Sequence, residues 1–144
     1  MKIYLDTCCY NRPFDNQNII KIQLESTAKL YIQNEIRKGT YNLVWSFMLD
    51  YENNDNPYEE KRKNIQKWEK IATEYCDYHE DILLCGKKLQ KLGIKANDTL
   101  QIACAIFSNC DYFITTDRKL INKKIKGIKI INPIDFVDKM EELD

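Results

Sequence analysis

The chain has 144 residues, the length of about one domain, with 44% hydrophobic and 31% charged residues. This composition excludes a disordered or fibrous protein and allows a core to form without disulfides or a structural metal. Lysine plus arginine and aspartate plus glutamate both number 22, so the net charge is zero and any nucleic-acid surface must be local.

The opening run Met1-Lys2-Ile3-Tyr4-Leu5-Asp6 reads as a strand over 2–6 that ends on an acid, followed by a loop, Thr7 to Pro13. Residues 18–38 form a predicted long helix in which Ile20, Leu24, Tyr31 and Ile36 recur near helical spacing, and Gly39 sits at its C-cap. Residues 41–45 are a second strand. Ser46 is placed to cap a short helix carrying Phe47, Met48, Tyr51 and Glu52, which the run Asn53-Asn54-Asp55-Asn56-Pro57 breaks.

An amphipathic helix is predicted over 59–74, with Ile65, Trp68, Ile71 and Ala72 on its apolar side. A short strand or extended link over 75–78 precedes a helix over 80–92 that stops at Gly93. Residues 97–108 are apolar nearly all round, the pattern of a buried helix. Strands over 112–115 and 128–131 follow, and Asn132-Pro133 opens a last helix. Strands alternating with helices predict an α/β fold, a single domain over 1–144 with a mostly parallel sheet of 4–5 strands covered on both faces.

Six cysteines occur without a C-x-x-C pair, and His79 is the lone histidine, which argues against zinc. Reduced thiols in a cytoplasmic protein are expected, with a Cys104–Cys110 disulfide as the alternative. No apolar run approaches membrane-spanning length, and no leader-like segment opens the chain.

Four acids stand out by position. Asp6 ends the first strand, Asp117 follows the fourth, Asp98 opens the apolar helix, and Glu52 lies just after the second strand. In a parallel sheet all four can reach one edge. Each also has a plain structural reading: turn residue, helix cap, dipole partner or solvated surface. Asp50 competes with Glu52, because residues two apart on a helix face nearly opposite ways. Gathered carboxylates repel, by about 4 kcal/mol for a pair 4 Å apart at an effective dielectric near 20. A cation relieves that repulsion, and an all-oxygen set without His or Cys suits Mg²⁺ or Mn²⁺.

The segments Met1 to Pro13, Leu49-Asp50-Tyr51-Glu52, Gly93 to Leu100 with Asp98, and Tyr112 to Asp117 resemble, in order and spacing, the successive motifs of the PIN domain family, of the VapC-like ribonuclease and toxin type. The resemblance implies a three-layer α/β/α sandwich and a Mg²⁺- or Mn²⁺-dependent endoribonuclease that leaves a 5′-phosphate. It further implies a toxin with an antitoxin partner, and a homodimer. It places Asp6, Glu52, Asp98 and Asp117 at the acidic metal-binding positions, and Thr7 and Thr116 beside them as orienting groups. Asn11 falls in a loop that can meet substrate or metal-bound water, with a turn residue ahead of Arg12-Pro13 as its other reading. Arg12 and the cluster Lys119, Lys123, Lys124 and Lys126 are candidates to guide RNA, with a solvated surface as the cluster's other reading. Gln101 stands where relatives often carry His. Two rival readings are an inactive PIN-like binding module acting through a protein partner, and a phosphoryl-transfer domain with Asp6 as nucleophile. The second is disfavoured because no acid follows two residues after Asp6.

Overall fold

In the computed structural model, which describes residues 1–143, five strands form one all-parallel sheet in the order β3-β2-β1-β4-β5. They are β1 (Lys2–Leu5), β2 (Asn42–Ser46), β3 (Glu74–Cys76), β4 (Tyr112–Ile114) and β5 (Lys129–Ile131). The central strand β1 pairs Tyr4 with Val44 on one side and with Phe113 on the other. Ile3, Tyr4 and Leu5 are fully buried, as a strand covered on both faces must be.

The eight helices are α1 (Thr7–Asn11), α2 (Ile20–Arg37), α3 (Phe47–Asn54), α4 (Glu59–Ile71), α5 (Glu80–Gln90), α6 (Ala96–Phe107), α7 (Arg118–Ile121) and α8 (Pro133–Leu143). They flank the sheet. α2 packs on α8, α5 on α6, and α3 touches both α4 and α6. The α5–α6 contact is close because Gly86 has no side chain: a Cβ there would stand 3.0 Å from Leu100 Cδ2. Among the described residues no helix is long and apolar enough to cross a membrane, and all six cysteines are free thiols.

Most predicted elements lie within a residue or two of the observed ones, and two differences carry a physical reason. The expected loop after Asp6 is helical: Asp6 accepts from the Thr7 backbone N–H as an N-cap, and α1 runs into a 3₁₀ turn at Arg12–Phe14. The inward face of α2 also differs from its apolar pattern. Ile20, Leu24 and Tyr31 are exposed, whereas Glu25, Ser26, Lys29, Ile32, Gln33 and Ile36 are buried. Tertiary partners turn this polar face inward. The Glu25 carboxylate is held by Arg12 Nε at 3.0 Å and by Asn132 Nδ2 at 2.5 Å, which satisfies a charge that could not otherwise be buried.

The strand order decides where a site can form. From β1 the chain steps outward through β2 and β3, then returns to the other side of β1 for β4 and β5. The connections therefore part between β1 and β4, and in open parallel sheets the crevice outside the carboxyl ends at that point is the ligand-binding position.

Candidate metal and nuclease site

Asp6 leaves β1 at this crevice and is 5% exposed. Its backbone N–H continues the ladder by donating to Ile114 O at 2.9 Å. Its side chain accepts from Thr7 N at 2.8 Å through Oδ1, and from the Thr115 hydroxyl at 2.9 Å through Oδ2. The Cys8 thiol lies 3.5 Å from the same Oδ2 and 3.3 Å from Thr115 Oγ1. Across the crevice Asp117 caps α7: its Oδ1 accepts from Lys119 N, and its own N–H donates to Thr115 Oγ1 at 3.1 Å. Thr115 thus ties the acids after β1 and β4 together.

Of the two expected orienting residues, Thr7 meets Asp6 through its backbone N–H, whereas the hydroxyl that touches Asp6 belongs to Thr115 and not to Thr116. Thr116 instead meets Cys8, through its side chain and through its backbone N–H, which lies 3.4 Å from the sulfur.

Glu52 reaches the site from α3. Gln101 Nε2 donates to its Oε1 at 2.7 Å and lies 3.3 Å from Thr7 Oγ1. The Gln101 carbonyl in turn accepts from the buried Tyr4 hydroxyl, which also bonds Ser46. The two α3 acids face different partners. Asp50 accepts from Trp45 Nε1, Gln66 Nε2 and the Tyr75 hydroxyl at 2.8, 2.7 and 2.6 Å, a purely structural knot. Gln101 is the residue that sequence reasoning undervalued. It lies three residues after Asp98 on α6, so both share one helix side, and that spacing was the available signal.

The acids feel one another. Burial raises the Asp6 carboxyl well above the carboxylate range, and the charges of Cys8, Glu52 and Asp98 add to the effect against the Thr115 hydrogen bond. Burial also raises Glu52, with Asp98 contributing. Burial and the neighbouring Asp117 raise Asp98, partly offset by Lys95. None of the four is in an ion pair among the described residues. For the buried Asp6, a charge without a partner is costly, and oxygen donors of this kind are what a hard divalent cation complements.

The acids are not a closed cage. Among the described residues no three His, Cys, Asp or Glu side chains stand grouped around one metal position. Instead, Glu52, Asp98 and Asp117 border two clefts. One, of about 320 Å³, is lined by Glu52 with Thr7, Asn11 and Lys61; the other, of about 220 Å³, by Asp98 and Asp117 with Lys95, Lys119 and Lys123.

Asn11 lines the first cleft, and its buried side-chain oxygen has no hydrogen-bond partner. Arg12 is engaged elsewhere: its guanidinium bonds Asp15 at 2.9 Å and Glu25 at 3.0 Å, which gives it a structural role. Of the basic cluster, Lys119 and Lys123 border the acids, whereas Lys124 and Lys126 line a separate cleft along β5.

No protein-family profile matches the chain, and no curated protein matches it in sequence. Its structure is similar to a chain in the crystal structure of VapBC2 from Rickettsia felis bound to a DNA fragment from their promoter. The TM-score is 0.59 at 17% identity, over 92% of this chain and 98% of that one. The fold is PIN-like. The likeness extends over nearly the whole of both chains.

Proposed function

We propose that this PIN-like protein is a metal-dependent endoribonuclease of the toxin type, with Asp6, Glu52, Asp98 and Asp117 holding Mg²⁺ or Mn²⁺. The observation that carries the reading is the placement of Asp6: a buried carboxylate without an ion pair at the sheet's switch point, its pKa raised by burial and by the charges of Cys8, Glu52 and Asp98. A bound divalent ion supplies a nucleophilic water and charge neutralisation for phosphodiester hydrolysis.

The chain's own residues do the rest. Thr7 N–H and Thr115 Oγ1 fix the Asp6 carboxylate, and Gln101 fixes Glu52 against Thr7. These contacts hold the carboxylates in one orientation, as outer-shell partners of metal ligands do. Lys95, Lys119 and Lys123 border the acids and would meet the phosphates of an RNA strand, while Asn11 and Lys61 border Glu52 on the other side.

The test is incubation of the purified protein with single-stranded RNA in Mn²⁺ or in EDTA. Cleavage that needs Mn²⁺ and is lost in Asp6→Asn supports the reading. Metal-independent cleavage, or equal cleavage by Asp6→Asn, removes it.

One observation favours a second reading, a PIN-like module that works through a protein partner such as an antitoxin or a second copy. The outer side of α2 exposes Ile20, Leu24 and Tyr31 at 72%, 53% and 48%, a stripe of large apolar groups that water does not favour. A protein that binds a partner there while showing no Mn²⁺-induced thermal shift and no cleavage would be such a module.

A further inference from the structure

The inward face of α2 carries donors that the fold leaves unused. Tyr10 is fully buried on α1 and Gln33 is 4% exposed, yet the Tyr10 hydroxyl and Gln33 Nε2 have no hydrogen-bond partner. Lys29 is also 4% exposed and forms no ion pair among the described residues. Its ammonium lies 5.5 Å from the centre of the Tyr10 ring. All three side chains line one cleft of about 250 Å³, with Phe14 and Trp68 on its wall and Arg37 above the Trp68 ring at 4.9 Å.

The chemistry of this lining is one-sided. It contains Lys29, Arg37 and Lys67 and no carboxylate. Buried donors left unpaired cost free energy, as Tyr10 OH and Gln33 Nε2 do here, and the Lys29 ammonium beside them has no carboxylate to neutralise it. Burial holds the Lys29 amine down to about 8, as expected for a cation whose counter-charge is missing. A trapped water could accept from Tyr10 and Gln33 but would leave the Lys29 charge unneutralised. An oxyanion answers all three groups at once, because it accepts hydrogen bonds and carries the opposite charge.

We propose that this cleft binds a small oxyanion, the carboxylate or phosphate group of a small organic ligand, through Lys29, Gln33 and Tyr10, with Trp68 and Phe14 as its apolar wall. The site shares no lining residue with the two clefts that hold Glu52, Asp98 and Asp117. It is linked to them through α1, which carries Tyr10 on the helix that Asp6 caps.

The test titrates the purified protein with inorganic phosphate and, separately, with acetate, in Tris–HCl with sodium chloride added to hold ionic strength constant. The readouts are the unfolding temperature and the indole N–H resonance of Trp68. A saturable rise in Tm with a saturable Trp68 shift is expected for at least one probe. A response to phosphate alone assigns a phosphate ligand, and one to acetate alone a carboxylate. The response should vanish in Lys29→Met and persist in Asp6→Asn. Gln33→Glu provides a second variant that supplies the counter-charge internally: it should raise Tm without probe and remove the probe response. The proposal is overturned if neither probe saturates, if the response survives Lys29→Met or Gln33→Glu, or if it disappears in Asp6→Asn.

Discussion

Replacing Asp6 by Asn should make the metal-free protein more stable while removing its response to metal. The Asp6 carboxylate is 5% exposed and lies within electrostatic reach of Glu52 and Asp98 with no ion pair. Burying such a charge costs several kcal/mol after relaxation. Against this stand the bonds from Thr7 N and Thr115 Oγ1. A bond to a charged acceptor contributes about 1.5–3 kcal/mol and one to a neutral acceptor about 0.5–1.5, so the amide forfeits about 1–3 kcal/mol over the two. The Thr115 hydroxyl can rotate to accept from the new Nδ2–H, so the site need not break.

The balance favours the variant by about 1–3 kcal/mol. At about 2–4 °C per kcal/mol for a chain near this size, that is a Tm rise of roughly 2–12 °C in EDTA. Mn²⁺ at about 100 times its dissociation constant should return about 2.7 kcal/mol to the wild-type protein and nothing to the variant, so the two melting curves should converge or exchange order. Thermal unfolding in EDTA and in Mn²⁺ measures both effects. A variant less stable than wild type in EDTA would show that the buried charge is not a cost. An equal Mn²⁺ shift in both proteins would show that Asp6 is not in a metal site.

Other outcomes follow from separate parts of the fold. Lys29 titrates from the ordinary 10.5 down to about 8 in the folded state, so the unfolded chain binds the extra proton between those values and wild-type stability rises with pH across that window. Lys29→Met should therefore be more stable at pH 7 by about 2–3 kcal/mol, with the advantage shrinking as pH approaches the unfolded value; urea unfolding at several pH values checks this. Arg12→Ala leaves Glu25 buried with Asn132 as its remaining recorded partner and should cost about 3–5 kcal/mol in urea unfolding, without changing RNA cleavage per folded molecule. At Gly86, Ala gains about 1 kcal/mol of helix propensity against a contact of 3.0 Å with a flexible Leu100 methyl, so Gly86→Ala should be near neutral. Gly86→Val should cost about 1–3 kcal/mol by overpacking the α5–α6 contact, as read by circular dichroism melts.

Much of this protein is legible in its sequence because much of it is local. The all-apolar run of α6, the glycines that end helices at Gly39 and Gly93 with positive φ, the Ser46 cap and the Asn132-Pro133 helix start act over a few residues, and the structure has them where the pattern puts them. The alternation of strands and helices likewise implies a parallel sheet, and the acids at the strand ends can be listed without coordinates. Strand order is different. The crevice between β1 and β4 exists because of pairings between residues more than a hundred positions apart, such as Tyr4 with Phe113.

The same holds for side-chain partners. The burial of Glu25, Lys29 and Gln33 in place of Ile20, Leu24 and Tyr31 depends on Arg12, Asn132 and Tyr10, which the helical pattern of α2 does not contain. Thr115 rather than Thr116 meets Asp6, and Asp50 rather than Glu52 is tied up by Trp45, Gln66 and Tyr75. The sequence alone determined which elements form and which acids are available, because propensity, capping and hydrophobic period are short-range. Only the tertiary structure decided which groups are buried together and which lack a partner, because desolvation and charge pairing depend on what the rest of the chain brings to the same point.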